Sequence, residues 1–409
     1  MDSYAGKYLQ ESRKNPIAFA HLFSVYLVTH FLRKIWYFPD AIAPRYERNC
    51  RPGATIRVSV TSGSLAMRPT ARILATVLML PASAVAFGAS ELLYVANNHD
   101  GTVSEIAIPE FEVIREIDVI PDLGVDRAGG TTFADDIVVS ADGSRLYVSR
   151  GGLQDVVALS LPDGGMLWKV PTDGLADHFA LSPDGNVLFV SVYSEDRVHA
   201  IDTAEGQELA RIPSCSGPHG VRFSADGLRV YNGCMIGDAL DVIDATTFEP
   251  TRRYNFLEGV RPFEINADET KAWVQLTRLH GLVEVDLEEG RVTKTIQLPV
   301  PAGVTAQADF PHTAHHGLAL TPDGTRMCAA GTVADYVAVL SVPELDLVAT
   351  TPVPGEPSWI VASLDGKYCY VSARKGNTVS VISARDGSEL ARIPVGDYPQ
   401  RMWSVAATR

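Results

Sequence analysis

One short pattern returns seven times along this chain: LLYVANN at Leu92, RLYVSRG at Arg145, VLFVSVY at Val187, RVYNGCM at Arg229, KAWVQLT at Lys271, RMCAAGT at Arg326 and YCYVSAR at Tyr368. Its aromatic position falls at Tyr94, Tyr147, Phe189, Tyr231, Trp273, Cys328 and Tyr370, so the spacings are 53, 42, 42, 42, 55 and 42 residues. A period of 42, with two insertions of 11 and 13 residues, lies in the range of propeller blades. SADGSR, SPDGNV, SADGLR, NADETK, TPDGTR and SLDGKY precede six of these strands. They set Asp-Gly, or once Asp-Glu, between alternating apolar runs, which is a strong hairpin signal. A third strand such as RVHAIDTAEG and a fourth such as ELARIP complete each unit. Four short strands per repeat without helical periodicity make a blade, so the chain is expected to be an all-β, seven-bladed β-propeller.

Blades are numbered here from the repeat at Leu92. Blade 1 has no inner strand ahead of it, and the missing copy stands at the other end. DYPQRMWSVA (397–406) matches the inner-strand segment SGPHGVRFSA (216–225). The C-terminal strand is therefore expected to complete blade 1 and close the ring, leaving no free edge.

With YVAN, YVSR and YVSA in place, the units resemble the YVTN/YncE-like repeats of secreted seven-bladed propellers over roughly residues 90–406. Blade 6 departs with MCAAG and blade 5 with AWVQL. Similar propellers occur as large subunits of quinoprotein amine dehydrogenases and as periplasmic lactonases or lyases. The resemblance thus implies a fold and a range of roles, since propellers host many unrelated activities.

The segment MRPTARILATVLMLPASAVAFG, from Met67, has two arginines, an apolar run from Ile73 to Leu80 and A-x-A steps at Ala82–Ala84 and Ala84–Ala86. This is the three-part pattern of a secretory signal, and the run is too short to span a bilayer. Residues 67–89 are read as the signal peptide, residues 1–66 as an upstream extension outside the fold, and 90–409 as the propeller. Residues 1–89 carry +7, so removing them takes the chain from −14 to −21. Such a charge disfavours nucleic acid and anionic lipid as partners, and no stable membrane insertion is expected after cleavage. The expected location is periplasmic or secreted.

Aligning the inner strands on their turns gives one apolar position, Ile137, Phe179, Val221, Phe263, Leu318, Ile360 and Met402. Two residues earlier the position is polar throughout: Asp135, Asp177, His219, Arg261, His316, Ser358 and Gln400. The intervening position adds Asp136, His178, Trp359 and Arg401. A polar ring is therefore expected where the inner strands enter the channel. The far ends of the second strands bring Asn97, Asn98, His99, Arg150, Tyr193, Arg278, His280, Arg374 and Lys375 to the same rim. The two insertions, 119–132 and 299–314, join it, the second placing His312 and His315 beside His316 in HTAHHG. Asp135, Asp136, Asp177, His178, His219, Arg261, His315, His316, Trp359 and Arg401 are the expected ligand-binding rim. His178, His219 and His316, from different blades, are the candidate ligands for a divalent metal, with Asp135, Asp177 or Glu264 as a possible carboxylate; no other cofactor is indicated.

No G-x-S-x-G elbow, P-loop or G-x-G-x-x-G stretch occurs, and without C-x-x-C-H there is no covalent c-type haem. Cys215 and Cys234 lie at nearly mirrored distances about the turn at Ala225–Gly227, and a disulfide across the mouth of blade 4 is expected. Cys328 and Cys369 occupy successive repeat positions whose side chains face opposite ways, and are expected to be unpaired apolar filler.

Two functional readings follow. In the first, the chain is an exported binding or scaffold propeller that holds a small polar ligand or docks a periplasmic redox enzyme. In the second, it is a metal-assisted hydrolase or lyase of a small ester or lactone. There His219 or His316 would act as ligand or base, and Arg261 or Arg401 would steady an oxyanion. Convergence of rim groups on one point would favour the enzyme, and an exposed apolar patch on one face would favour the scaffold.

Overall fold

The computed structural model describes residues 90–123, 132–304 and 313–407. The expected leader, His312 and much of both insertions lie outside the described residues. Seven four-stranded antiparallel sheets follow one another along the chain, joined by short turns. Blades 2 to 7 open with the inner strands Asp136–Val139, Ala176–Leu181, Pro218–Phe223, Val260–Ile265, Leu318–Leu320 and Pro357–Ala362. Blade 1 takes its inner strand from the other end of the chain: Pro399–Ala406 pairs with Glu91–Asn97, aligning Glu91 with Ala406 and Val95 with Met402. The chain is a seven-bladed β-propeller closed by its C-terminal strand. Among the described residues, no helix is long and apolar enough to cross a membrane.

Each blade is apolar on both faces, so every seam between neighbours buries a hydrophobic layer. Tyr94, Ile137, Leu146 and Val148 fill the seam of blades 1 and 2, and Trp359, Tyr370, Val95 and Met402 that of blades 7 and 1. The apolar inner-strand position is buried in all seven blades, from Val221 at 0% to Phe179 at 4% exposed, as residues packed between blades must be.

The Asp-Gly turns work as their sequence demands. In SPDGNV, Asp184 accepts from Ser182 Oγ at 2.6 Å and from Asn186 N at 3.1 Å, and Gly185 takes a φ of 75°. In blade 5, where glutamate replaces glycine, Glu269 adopts a φ of 54° and is held there by Arg229 and Tyr231.

Cys215 and Cys234 are bonded across the mouth of blade 4, with Cα atoms 5.9 Å apart. Cys328 and Cys369 are not filler. They form a second disulfide, Cα–Cα 6.6 Å, which ties blade 6 to blade 7. Opposite facing is what brings them together: one side chain leaves its blade forwards and the other leaves its blade backwards, and both enter the same seam.

Candidate functional site

Inner-strand geometry decides which side chains reach the channel. Strict alternation would send Asp177 and His178 to opposite faces. The pairing of this strand with the next is shifted between Ala176 and Phe179, and comparable irregularities occur at Pro218/Val221, Val260/Phe263 and Pro357/Trp359. Bulges of this kind re-aim side chains. They let both the polar position and its successor contribute to the site.

The third residue of the repeated Y-V-S pattern holds the bulges in place. Ser191 Oγ accepts from His178 N at 3.0 Å within its own blade and donates to the carbonyl of His219 in the next at 2.6 Å. Ser149 does the same between Asp136 N, at 2.8 Å, and the Asp177 carbonyl, at 2.7 Å. In blade 5 the Gln275 amide replaces the hydroxyl, exchanging two 3.0 Å bonds with the backbone of Gly317 beside His316.

On this frame His178, His219 and His316 meet. His219 Nε2 lies 3.2 Å from His178 Nε2 and 3.4 Å from His316 Nε2. The three rings are 0%, 3% and 7% exposed, so they form a centre walled off from bulk water. Burial, reinforced by Arg401, pushes all three pKa values well below the ordinary imidazole value, which keeps the rings neutral. Two of the tautomers follow from the neighbours of the rings. His316 Nδ1 lies 2.9 Å from the Ser358 carbonyl and can only donate there, which leaves a lone pair on Nε2. Arg401 donates to His178 Nε2, so the proton of that ring is on Nδ1, 3.4 Å from Asp136 Oδ2. Three Nε2 atoms from different blades thus crowd one place, with Arg401 on that of His178. Nitrogens about 2.0–2.1 Å from a tetrahedral ion are separated by about 3.3 Å, so the observed spacing fits a zinc-like ion that takes the place of the Arg401 contact.

Carboxylates and guanidinium groups surround this centre. Asp177 lies 3.7 Å from His178 Nε2 and 3.9 Å from His219 Nε2. Burial and the neighbouring Asp135 raise its pKa well above the usual carboxylate range, and burial lifts Asp136 to about 6. Arg401 sits 3.4 Å from both Asp135 and Asp177. Asp135 is held in turn by Gln400 at 2.8 Å and Asn98 at 3.1 Å. Trp359 packs against His178, ring centroids 4.9 Å apart, with Arg401 5.1 Å from its ring centre.

Other expected rim residues take other hydrogen-bond partners. Arg261 donates to Thr277 Oγ1 at 3.1 Å, and burial lowers its pKa to about 10. His315 turns into the wall between blades 5 and 6, where its Nε2 meets His280. Arg150 is locked between Asp122 and Asp155, and Arg374 pairs with Glu356.

Beyond Trp359 the channel widens into a cavity of about 320 Å³, lined by the later residues of the inner strands. Its polar groups are Asp136 and the ion pair Arg222–Glu264, 3.6 Å apart, while Trp359, Trp403, Phe179 and Met402 supply apolar wall. The sequence reading missed Arg222. The signal was available, because Arg222 and Glu264 hold the position that is Val138, Ala180, Ala319, Val361 and Trp403 in the other blades.

A family model described as "Lactonase, 7-bladed beta-propeller" matches residues 84–224. No protein of curated function matches the chain in sequence. Among solved structures, the periplasmic gluconolactonase of Pseudomonas aeruginosa is similar at 20% identity and TM-score 0.61, over 78% of this chain and 99% of that one. Hydrazine synthase of Kuenenia stuttgartiensis is similar at 21% identity and TM-score 0.57, over 68% and 91%. Virginiamycin B lyase of Staphylococcus aureus is similar at 14% identity and TM-score 0.55, over 67% and 91%. At these identities the likeness is one of fold.

Proposed function

We propose that this chain is an exported propeller enzyme in which His178, His219 and His316 hold a divalent ion and the channel opens a small ester or lactone. The observation that carries this reading is the convergence of three neutral imidazole nitrogens, 3.2 and 3.4 Å apart, in the buried channel. A divalent ion there supplies Lewis acidity and lowers the pKa of water. The chain supplies the rest. Asp136 and the Ser358 carbonyl orient the imidazoles of His178 and His316. Asp177, whose raised pKa suits proton transfer, accepts a proton beside the centre. Arg401 steadies negative charge on the substrate oxygen from its seat between Asp135 and Asp177. The 320 Å³ cavity, of ligand size, shares Asp136 and Trp359 with the centre, each of which touches the His178 ring. The match of residues 84–224 to the lactonase model supports the substrate class. The signal-like pattern at 67–89 and the two disulfides support an oxidising, periplasmic or extracellular location.

A partner-docking role ranks second. Six of the exposed aliphatic residues, Val113, Leu167, Leu209, Val292, Val348 and Leu390, occupy the equivalent outer-strand position of six blades, so these six spread around the circumference instead of forming a patch.

Elemental analysis of the untagged protein, beside a His178→Ala/His219→Ala/His316→Ala variant, tests the proposal. One ion lost in the variant is expected, together with lactone hydrolysis that falls by at least about a hundredfold. Equal metal content in the two proteins, or hydrolysis unaffected by the variant, would overturn it.

A further inference from the structure

A second convergence of ligating atoms lies outside the channel. Adjacent in sequence, His315 and His316 face different ways: His316 joins the channel set, while His315 enters the seam between blades 5 and 6. There His315 Nε2 lies 3.1 Å from Nδ1 of His280, which follows the second strand of blade 5. Tyr336, which opens the third strand of blade 6, brings its Oη to 3.5 Å from His280 Nδ1 and 3.4 Å from His315 Nε2. The three residues are 6%, 0% and 5% exposed. Each is pinned. Thr313 Oγ1 lies 3.0 Å from the His315 carbonyl and 2.9 Å from that of Thr277. Gly331 lets the tyrosine ring lie so close that a Cβ there would fall 2.8 Å from it.

Three ligand-type atoms, two ring nitrogens and one phenol oxygen, thus face one another in a buried seam. Edges of 3.1 to 3.5 Å are those of three ligands held about 2 Å from one ion.

We infer that His280, His315 and Tyr336 form a second transition-metal site, separate from the channel centre and best matched to Cu²⁺. Two imidazoles and a phenolate make a mixed nitrogen–oxygen set, and copper stands at the top of the divalent affinity order for such ligands. Binding would displace the hydroxyl proton of Tyr336 to solvent, leaving a phenolate that neutralises one of the two positive charges.

The full chain, expressed without a tag, stripped with chelator, loaded with Cu²⁺ and desalted, gives the test. The His178→Ala/His219→Ala/His316→Ala variant should keep one Cu²⁺ and show a phenolate-to-copper charge-transfer band in the visible. Tyr336→Phe, made in the otherwise native chain, should abolish that band while leaving the melting transition in place. Loss of all copper from a folded triple variant would overturn the inference, as would a band that survives Tyr336→Phe. Should the triple variant fail to fold, the band in Tyr336→Phe decides alone. A channel that binds nothing leaves one Cu²⁺ in the native chain and in the triple variant alike, so failure of the catalytic reading is distinguishable from failure of this one.

Discussion

Ser191 shows how a single hydroxyl can serve a site without touching it. Its Oγ bonds the backbone at His178 and His219, two of the three converging histidines. Ser191→Ala leaves the His219 carbonyl without its donor, a loss of about 1–3 kcal/mol for a buried group. Bound metal should weaken by about ten- to a hundredfold, as for other outer partners of metal ligands. Calorimetric titration with Zn²⁺ checks this, and unchanged affinity would deny Ser191 its positioning role. His199 belongs to a different setting, an outer strand where Glu195 lies 3.2 Å away and Glu208 3.4 Å. Burial outweighs both carboxylates and lowers its pKa from 6.5. The folded chain then holds fewer protons than the unfolded one, so the contribution of His199 to stability is full above about 6.5 and is lost as pH falls towards the folded value. His199→Gln should therefore lose less stability than the native chain between about pH 7 and pH 5, read by urea denaturation at each pH. An equal or larger loss in the variant would contradict the sign.

At the level of the strand and the turn, the repeat sets what substitution costs. Gly185 has a φ of 75°, and a Cβ built on it meets nothing within 4 Å. Gly185→Ala isolates the backbone cost and should destabilise by about 1–2 kcal/mol, measured as a lower melting temperature. A neutral effect would mean that the hairpin relaxes into another turn. Strand order, closure and the apolar inner position were legible in the sequence because they rest on period and alternation, which one chain displays in seven copies. The bulges were not. They break alternation locally, through pairing with a strand some ten residues away, so His178 and His219 read as offset by one position and yet meet. The Cys328–Cys369 bond was hidden for a related reason: facing was judged within one blade, whereas the bond is made between two. Tyr336 escaped because its position in the third strand has no polar signature until His280 and His315 are set beside it in space.

As a whole molecule the propeller depends on one distant pairing. Pro399–Ala406 supplies the inner strand of blade 1 and packs against the inner strands of blades 2 and 7. Ending the chain at Gly396 removes Arg401 from the site and exposes the edge of Glu91–Asn97. The shortened protein should lose cooperative melting or aggregate through the open edge. Size-exclusion chromatography and calorimetry would show it, and a monomer melting like the native chain would mean that blade 1 is dispensable. A peptide spanning 397–409 added during refolding should restore the melting transition in part.

The same pairing sets a clock on synthesis. Blade 1 leaves the ribosome without its innermost strand, which follows only after blades 2 to 7 have been made. Until it arrives the molecule is an arc with two sticky ends, unable to lock Arg401 beside the histidines. Closure of the circle and the arrival of Arg401 beside the three histidines are consequently one event.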